Sequence, residues 1–142
     1  MKRKTLITLS WLAVAVCMAV IFVFSSQSGE TSQETSDRLA FLLKLPFGSF
    51  VVRKGAHFLE FAGLAALVHN ALYQTVGKVR YFSAFAVTAV YAATDEIHQL
   101  FVGDRACRLF DWFVDCAGAI SALVVLFILN KIFISVKRRR LH

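Results

Sequence analysis

The sequence has little charge, almost no proline and few cysteines. Asp, Glu, Lys and Arg make up 18% of its 142 residues, too few for a disordered chain. With 7 glycines and 1 proline it is not collagen-like, and 3 cysteines are too few for a disulfide scaffold. They permit at most one disulfide, for which Cys107 and Cys116 are the candidates, although free thiols are favoured.

What the chain has in excess is apolar side chains. They account for 58% of the residues, against roughly 45–50% in ordinary soluble domains. A soluble fold of this size could not bury so much apolar surface, whereas a bilayer could cover it. The composition predicts a membrane protein, organised as a single domain over residues 1–142.

The net charge of +7 comes from basic groups spaced along the chain. Lys2, Arg3 and Lys4 form the first group, Lys78 and Arg80 the second, and Lys131 with residues 137–140 the third. No acidic residue accompanies any of them. A nucleic-acid binder would gather its charge on one folded surface, so nucleic acid is not an expected partner.

Four apolar segments have the length of membrane-spanning helices. They cover residues 6–24, 50–73, 81–101 and 111–134, and none alternates with the period of a barrel strand. The first segment is favoured as an uncleaved helix over a signal peptide, because its apolar run is long and no cleavage pattern follows it. The predicted fold is an all-α membrane protein, a four-helix transmembrane bundle.

The basic groups also predict its orientation. Placing all three on the cytoplasmic side puts both termini in the cytoplasm and residues 25–49 and 102–110 outside. The expected location is the inner, cytoplasmic membrane. Between the first two spans, residues 37–45 resemble a short amphipathic helix stopped by Pro46. It either lies on the outer leaflet or packs over the bundle as an apolar plug.

Ionisable residues inside membrane spans are costly and indicate a site by default. Here they come from three helices and one loop and fall at similar depth, near the outer surface. One outward-facing cavity should therefore hold Arg53, His57, Glu60, Asp95, Glu96, Gln99, Arg105 and Asp115. Candidate catalytic residues are His57, Glu60, Asp95 and Glu96. Candidate binding residues are Gln27, Arg53, Lys54, His98, Gln99, Arg105, Asp111 and Asp115.

Helix polarity strengthens this interpretation. Arg53 and Lys54 lie on the first turn of the second span, where the helix dipole disfavours cations and an anion would relieve the conflict. Asp95 and Glu96 lie near a helix C-terminus, so they need cationic partners, for which Arg105 or Arg108 are the candidates. Asp111 could instead be the N-cap of the fourth span.

These residues carry a family resemblance. Residues 24–27 (FSSQ), 53–61 (RKGAHFLEF) and 95–101 (DEIHQLF), followed by Arg105, Asp111 and Asp115, resemble the VanZ-like family over residues 24 to about 125. The resemblance implies a small bacterial membrane protein, with a link in some members to low-level resistance to teicoplanin and related glycopeptides. The loop departs from the family pattern, because Ala106, Cys107 and Arg108 follow Arg105 where Gly-Ser or Gly-Asp is common.

Two functions fit the predicted cavity. The first is binding of an anionic lipid or lipid-linked cell-envelope molecule, whose phosphate Arg53, Lys54 and Arg105 would hold. The alternative is a membrane-embedded enzyme acting on a lipid-linked phosphoryl or glycosyl group. In that enzyme His57 with Glu60, or Asp95 with His98, would act as acid and base.

Two further interpretations were considered. The polar groups could simply satisfy one another as a structural knot. The same histidine–carboxylate pairs could hold a metal ion, but neither is a complete signature and the arginines would repel a cation. No cofactor and no metal are expected, and the predicted partners are membrane lipids or lipid-linked cell-wall precursors.

Overall fold

The computed structural model describes residues 2–42, 44, 48–105 and 107–139. Within these ranges the chain is entirely helical, without a β-strand, as the sequence predicts. The five helices are α1 (Arg3–Ser25), α2 (Gly29–Leu42), α3 (Ser49–Val76), α4 (Tyr81–Gln99) and α5 (Leu109–Arg139).

Two of these helices, α1 and α5, are long and apolar enough to cross a membrane. Helices α3 and α4 do not reach that standard by composition, because α3 carries Arg53, Lys54 and Glu60 and α4 carries Asp95 and Glu96. Of the four predicted membrane spans, the first and the last are therefore supported. That α3 and α4 also cross a membrane stays a prediction.

Helix α2 begins earlier than the segment 37–45 that was predicted as a helix. It starts at Gly29 because the Ser28 hydroxyl accepts a hydrogen bond from the Thr31 N–H at 3.3 Å, and Glu30 lies in its first turn. Both features stabilise a helix N-terminus. Pro46, the predicted stop signal, lies outside the described residues.

The side of α2 that faces the bundle is polar. Ser36 is buried and the Gln33 amide donates a hydrogen bond to the Ser49 hydroxyl on α3. The apolar side chains Phe41 and Leu42 point outward, 84% and 74% exposed. This arrangement does not fit an apolar plug, and the position of α2 on a membrane surface stays a prediction.

Helix α3 is the centre of the fold and packs against each of the other four helices. Its inward residues Phe61, Leu64, Ala65, Val68 and Ala71 are completely buried. The neighbouring helices present many small side chains to it, which lets helix backbones approach closely and is typical of membrane helix packing. These small residues are Ala84 and Ala92 on α4 and Gly118 and Ala119 on α5.

Three aromatic side chains donate hydrogen bonds between helices. The Trp11 indole donates to Thr75 Oγ1 at 3.0 Å, the Tyr91 hydroxyl to the Met18 carbonyl at 2.6 Å, and the Trp112 indole to the Ala89 carbonyl at 3.0 Å. Helix α4 ends at Gln99, two residues before the end of the predicted span. The Leu100 and Phe101 N–H groups donate to the Ile97 and His98 carbonyls, three residues earlier, and so close the last turn. Asp95 and Glu96, in that last part of α4, therefore lie at one end of the bundle.

Candidate functional site

The candidate site lies where α1 and α4 end and α2, α3 and α5 begin. The loop between α4 and α5 closes over it and is fastened to the start of α2, since the Gly29 N–H donates to the Gly103 carbonyl at 3.1 Å. A Cβ at Gly29 would collide with the Asp104 carbonyl. The residue at position 29 must therefore be glycine for the loop to approach this closely.

A small cavity with a mainly basic wall opens at this end. It has a volume of about 90 Å³ and is lined by Gly29, Arg53, Lys54, His57, Gln99, Asp104, Arg105, Arg108 and Asp111. Of its four cations, Lys54 is paired with Asp111 at 2.5 Å. No carboxylate in the described part of the chain forms an ion pair with the three arginines. The cavity wall therefore carries four cations against two carboxylates, Asp104 and Asp111, and has a net positive charge.

The arginines are held by neutral groups instead. Arg53 Nη1 donates to the Gln33 side-chain oxygen at 3.1 Å, and Arg105 Nη2 lies 3.5 Å from the Phe24 carbonyl. Burial, and next the like charge of Arg53, lower the pKa of Arg105 from its usual value. Asp95, Glu96 and Glu60 oppose this lowering in part, and an anion bound between these two guanidinium groups would oppose it further.

A second cavity, of about 200 Å³, adjoins the first and shares Arg53, His57 and Arg105 with it. Its remaining wall combines apolar and neutral polar side chains, with Glu60 as its acidic member. The remaining lining residues are Phe24, Ser25, Gln27, Ser32, Thr35, Ser36, Leu39, Val52, Ala56 and Glu60. A ligand whose phosphate lies in the first cavity would have both apolar and hydroxyl-bearing groups accommodated in the second.

His57 lies at the boundary of the two cavities and faces a buried carboxylate. Its Nδ1 is 3.6 Å from Asp115 Oδ1, and Asp115 is 1% exposed. Neither Asp115 oxygen accepts a hydrogen bond from any described residue. A buried carboxylate without a donor is costly. His57 Nδ1, which also has no hydrogen-bond partner, is the one basic group within ion-pair distance of Asp115 among the described residues.

Asp95 and Gln99 belong to a network that joins α4 to α1. The Ser25 hydroxyl donates to Asp95 Oδ2 at 2.7 Å, and the Gln99 amide lies 2.9 Å from both Ser25 Oγ and Asp95 Oδ2. His98 contacts Ser26 at 3.1 Å and stacks on Phe22. Asp95 and His98 therefore have different partners, and neither lines the cavities described above.

The other acidic residues also differ from their predicted contacts. Glu96 accepts a hydrogen bond from the Arg108 backbone N–H at 2.9 Å, so it is held by main chain and not by the predicted guanidinium group. Asp111 lies within the first turn of α5 and pairs with Lys54, so the proposed N-cap role is not what its carboxylate does. Glu60 lines the second cavity together with His57, whereas the carboxylate that His57 contacts is Asp115.

Several residues of the site were not among the sequence candidates. Ser25, Gln33 and Asp104 line a cavity or hold a residue that does. Arg108, predicted only as a partner for Asp95 and Glu96, directly precedes α5 and lines the first cavity. Gln33 carried no usable signal, because its partner Arg53 is 20 residues away and the intervening segment looked like a polar linker.

Neither a metal cluster nor a disulfide is present in the described ranges. No group of three or more His, Cys, Asp or Glu side chains there is arranged to hold a metal ion. Cys17, Cys107 and Cys116 are all free thiols, so the considered Cys107–Cys116 bridge is not formed.

The comparison with protein families covers most of the chain. A family model described as VanZ/LLP1 matches residues 10–130. No curated protein and no solved structure matches the chain significantly.

Proposed function

The chain belongs to the VanZ/LLP1 family, and from that premise we propose that its basic cavity binds the phosphate of an anionic lipid or lipid-linked cell-envelope molecule. One observation carries this proposal. Arg53, Arg105 and Arg108 line a single cavity of about 90 Å³ and form no ion pair with a carboxylate of the described chain. Three guanidinium groups so placed need an anion, and arginine suits phosphate through its paired donors.

The observation also argues against a purely structural knot. In such a knot the cations and carboxylates would neutralise one another. Here Asp95 is held by a hydroxyl and an amide, and Glu96 by a backbone N–H. The acids and the arginines thus have separate sets of partners, which leaves the arginines available for a ligand.

The location of the cavity supports a ligand from the membrane. The helices around it expose large apolar side chains, among them Val23 (62% exposed), Leu59 (69%) and Phe113 (60%). A bilayer would cover this surface, and a cavity at the end of the helices would then lie at headgroup depth. Within this proposal α3 and α4 also cross the membrane, and the family link to glycopeptide resistance would act through the bound cell-envelope lipid.

The direct test is native mass spectrometry of protein released gently from membranes. We expect a phosphate-bearing lipid or lipid-linked molecule to stay bound to the basic cavity at one copy per chain. Variants of Arg53 or Arg105 should retain less of it. If wild-type protein and both variants retain the same lipids in the same amounts, the basic cavity is not a binding site.

A prediction about orientation follows from the basic groups at the other end of the bundle. Both termini should be cytoplasmic and the loop bearing Cys107 should be outside. Cys107 is exposed, so a membrane-impermeant maleimide should label it in intact cells. In a Cys107→Ser background, Lys137→Cys should become reactive only after the membrane is opened. The reverse labelling pattern would invert the topology and remove the outer-leaflet ligand.

The His57–Asp115 contact favours a second candidate function, hydrolysis of the bound phosphate ester. With Nδ1 turned to Asp115, the other ring nitrogen of His57 is free to act on groups in the cavities. It would take a proton from an attacking water as the new P–O bond forms. The ester P–O bond then breaks, and the leaving alkoxide receives that proton from the imidazolium, which Asp115 stabilises.

This candidate predicts a separation of binding from turnover. His57→Asn should abolish release of inorganic phosphate from a lipid phosphate in vesicles while bound-lipid occupancy is retained. Asp115→Asn should lower kcat by about 10²–10⁴-fold, the usual contribution of acid–base catalysis, with a smaller change in KM. If wild-type protein with an occupied cavity releases no phosphate, the protein binds lipid phosphate without hydrolysing it.

A further inference from the structure

A second pair of cavities lies at the opposite, basic end of the bundle, in a groove between α4 and α5. One cavity, of about 340 Å³, is apolar, and the other, of about 400 Å³, opens toward the end of the helices. They share Tyr81 and Phe127. The apolar part is lined also by Phe82, Phe85, Ile120, Leu123 and Val124, and the end by Val79, Asn130, Lys131, Ile134, Ser135 and Arg138.

Lys131 and Arg138 line the open end of this groove, its mouth, and no acidic residue of the described ranges lies near them. The sequence contains no Asp or Glu between residues 61 and 94, nor after Asp115. Asp115 precedes Lys131 by 16 residues on the same helix, which is about 24 Å at 1.5 Å per residue. Lys131 Nζ lies 5.5 Å from the centre of the Phe127 ring, so its charge is held against the groove wall. The mouth is therefore a site of unopposed positive charge beside an apolar trough.

The N-terminus of α4 adds to this charge. Arg80, at the N-cap position, makes no side-chain cap hydrogen bond, and the first turn of α4 contains no acidic residue. The partial positive charge of the helix end is thus uncompensated. Tyr81, the first residue of α4, lines the mouth, and Asn130 Nδ2 lies 3.5 Å from its hydroxyl. The start of α4 and two cationic side chains thus lie at the same mouth, and both favour an anion there.

We propose that this groove binds one phospholipid with an anionic headgroup from the leaflet at the basic end. The phosphate lies between Lys131, Arg138 and the start of α4, and an acyl chain follows the trough past Phe82 and Val124. Phe82 is 81% exposed and Val124 49%, so the trough has apolar surface for a chain to cover. The site is separate from the outer basic cavity and does not depend on its function.

Charge complementarity selects a lipid over a second copy of this chain. The helix faces that could pair with α4 and α5 in a symmetric contact carry the same cations, and like charges would meet at the mouth. An anionic headgroup instead neutralises Lys131 and Arg138 while its chain fills the apolar trough.

The test compares two pairs of charge-removing substitutions. Full-length protein is incorporated into vesicles of equal parts phosphatidylglycerol and phosphatidylcholine, and retained lipid is counted by native mass spectrometry. Lys131→Gln with Arg138→Gln removes the charges that line the mouth. Lys137→Gln with Arg139→Gln removes the same charge from exposed positions that line neither cavity. Loss of one charge-assisted hydrogen bond to the phosphate per cation, about fivefold each, leads us to expect a roughly 30-fold loss of phosphatidylglycerol preference for the first pair.

The control pair should lose less than about threefold. Both pairs are compared in an Arg53→Gln background, so that lipid held by the outer cavity does not contribute to the count. Equal losses for both pairs would mean that only general surface charge attracts the lipid, and would overturn the site. Val124→Trp fills the trough without touching a charge, and should also displace the lipid. If Val124→Trp leaves lipid retention intact, no acyl chain fills the trough and the proposal is wrong. A wild-type protein that is dimeric in detergent and becomes monomeric on this substitution would identify the groove as an interface between copies.

Discussion

Arg53→Gln will lower the affinity of the outer cavity for its phosphate ligand by about 1–3 kcal/mol, roughly 5- to 150-fold. Arg53 lines both outer cavities and its only described side-chain hydrogen bond is to Gln33. It also lies in the first turns of α3, where the helix dipole disfavours a cation. Glutamine keeps a hydrogen-bond donor and most of the volume, so the fold should persist while the charge is lost.

Arg38→Gln is the matched control, because Arg38 is an exposed arginine of α2 that lines neither outer cavity. Bound-lipid occupancy and melting temperature should be measured on wild type and both variants. Only Arg53→Gln should lose ligand, and neither should melt much lower in the ligand-free state. If Arg53→Gln melts far lower yet keeps full occupancy, the arginine is part of a structural knot and the binding proposal fails.

Gly118→Ala will destabilise the bundle by about 1–3 kcal/mol, the usual effect of overpacking. A Cβ at Gly118 would collide with the Phe58 carbonyl on α3, and backbone cannot move aside as a flexible side chain could. Separating α3 from α5 at this level would also move Asp115, one turn earlier on α5, away from His57, next to Phe58. We therefore expect the variant to lose both thermal stability and any phosphate release.

Gly63→Ala is the control for this prediction. Gly63 is also in a helix interior, but a Cβ there meets nothing within 4 Å. Alanine should therefore stabilise α3 by about 0.5–1 kcal/mol. The two variants should shift the melting temperature in detergent in opposite directions. A Gly118→Ala protein that melts at the wild-type temperature would mean that α3 and α5 do not pack closely at this position.

The amino-acid sequence by itself determined the helical class, the positions of four long helices and most of the polar residues at one end. These features are local. Apolar run length and helical spacing place Arg53, His57 and Glu60 on one stripe of α3. The basic groups at Lys2–Lys4, Lys78 and Lys131 can be identified in the sequence without knowledge of any tertiary contact. The family could also be recognised, because its motifs are short linear elements.

Only the tertiary structure decided which polar groups contact one another. His57 was paired in the sequence analysis with Glu60, its neighbour on α3, whereas in the fold it faces Asp115 of α5. Asp95 meets Ser25, 70 residues earlier in the chain. Both contacts depend on the distance and rotation between packed helices, which small residues such as Gly118 permit and which no single-helix pattern encodes. The sequence predicted the start of α2 at residue 37, whereas the helix begins at Gly29. Its first turns are polar, and without apolar periodicity they cannot be distinguished from a linker.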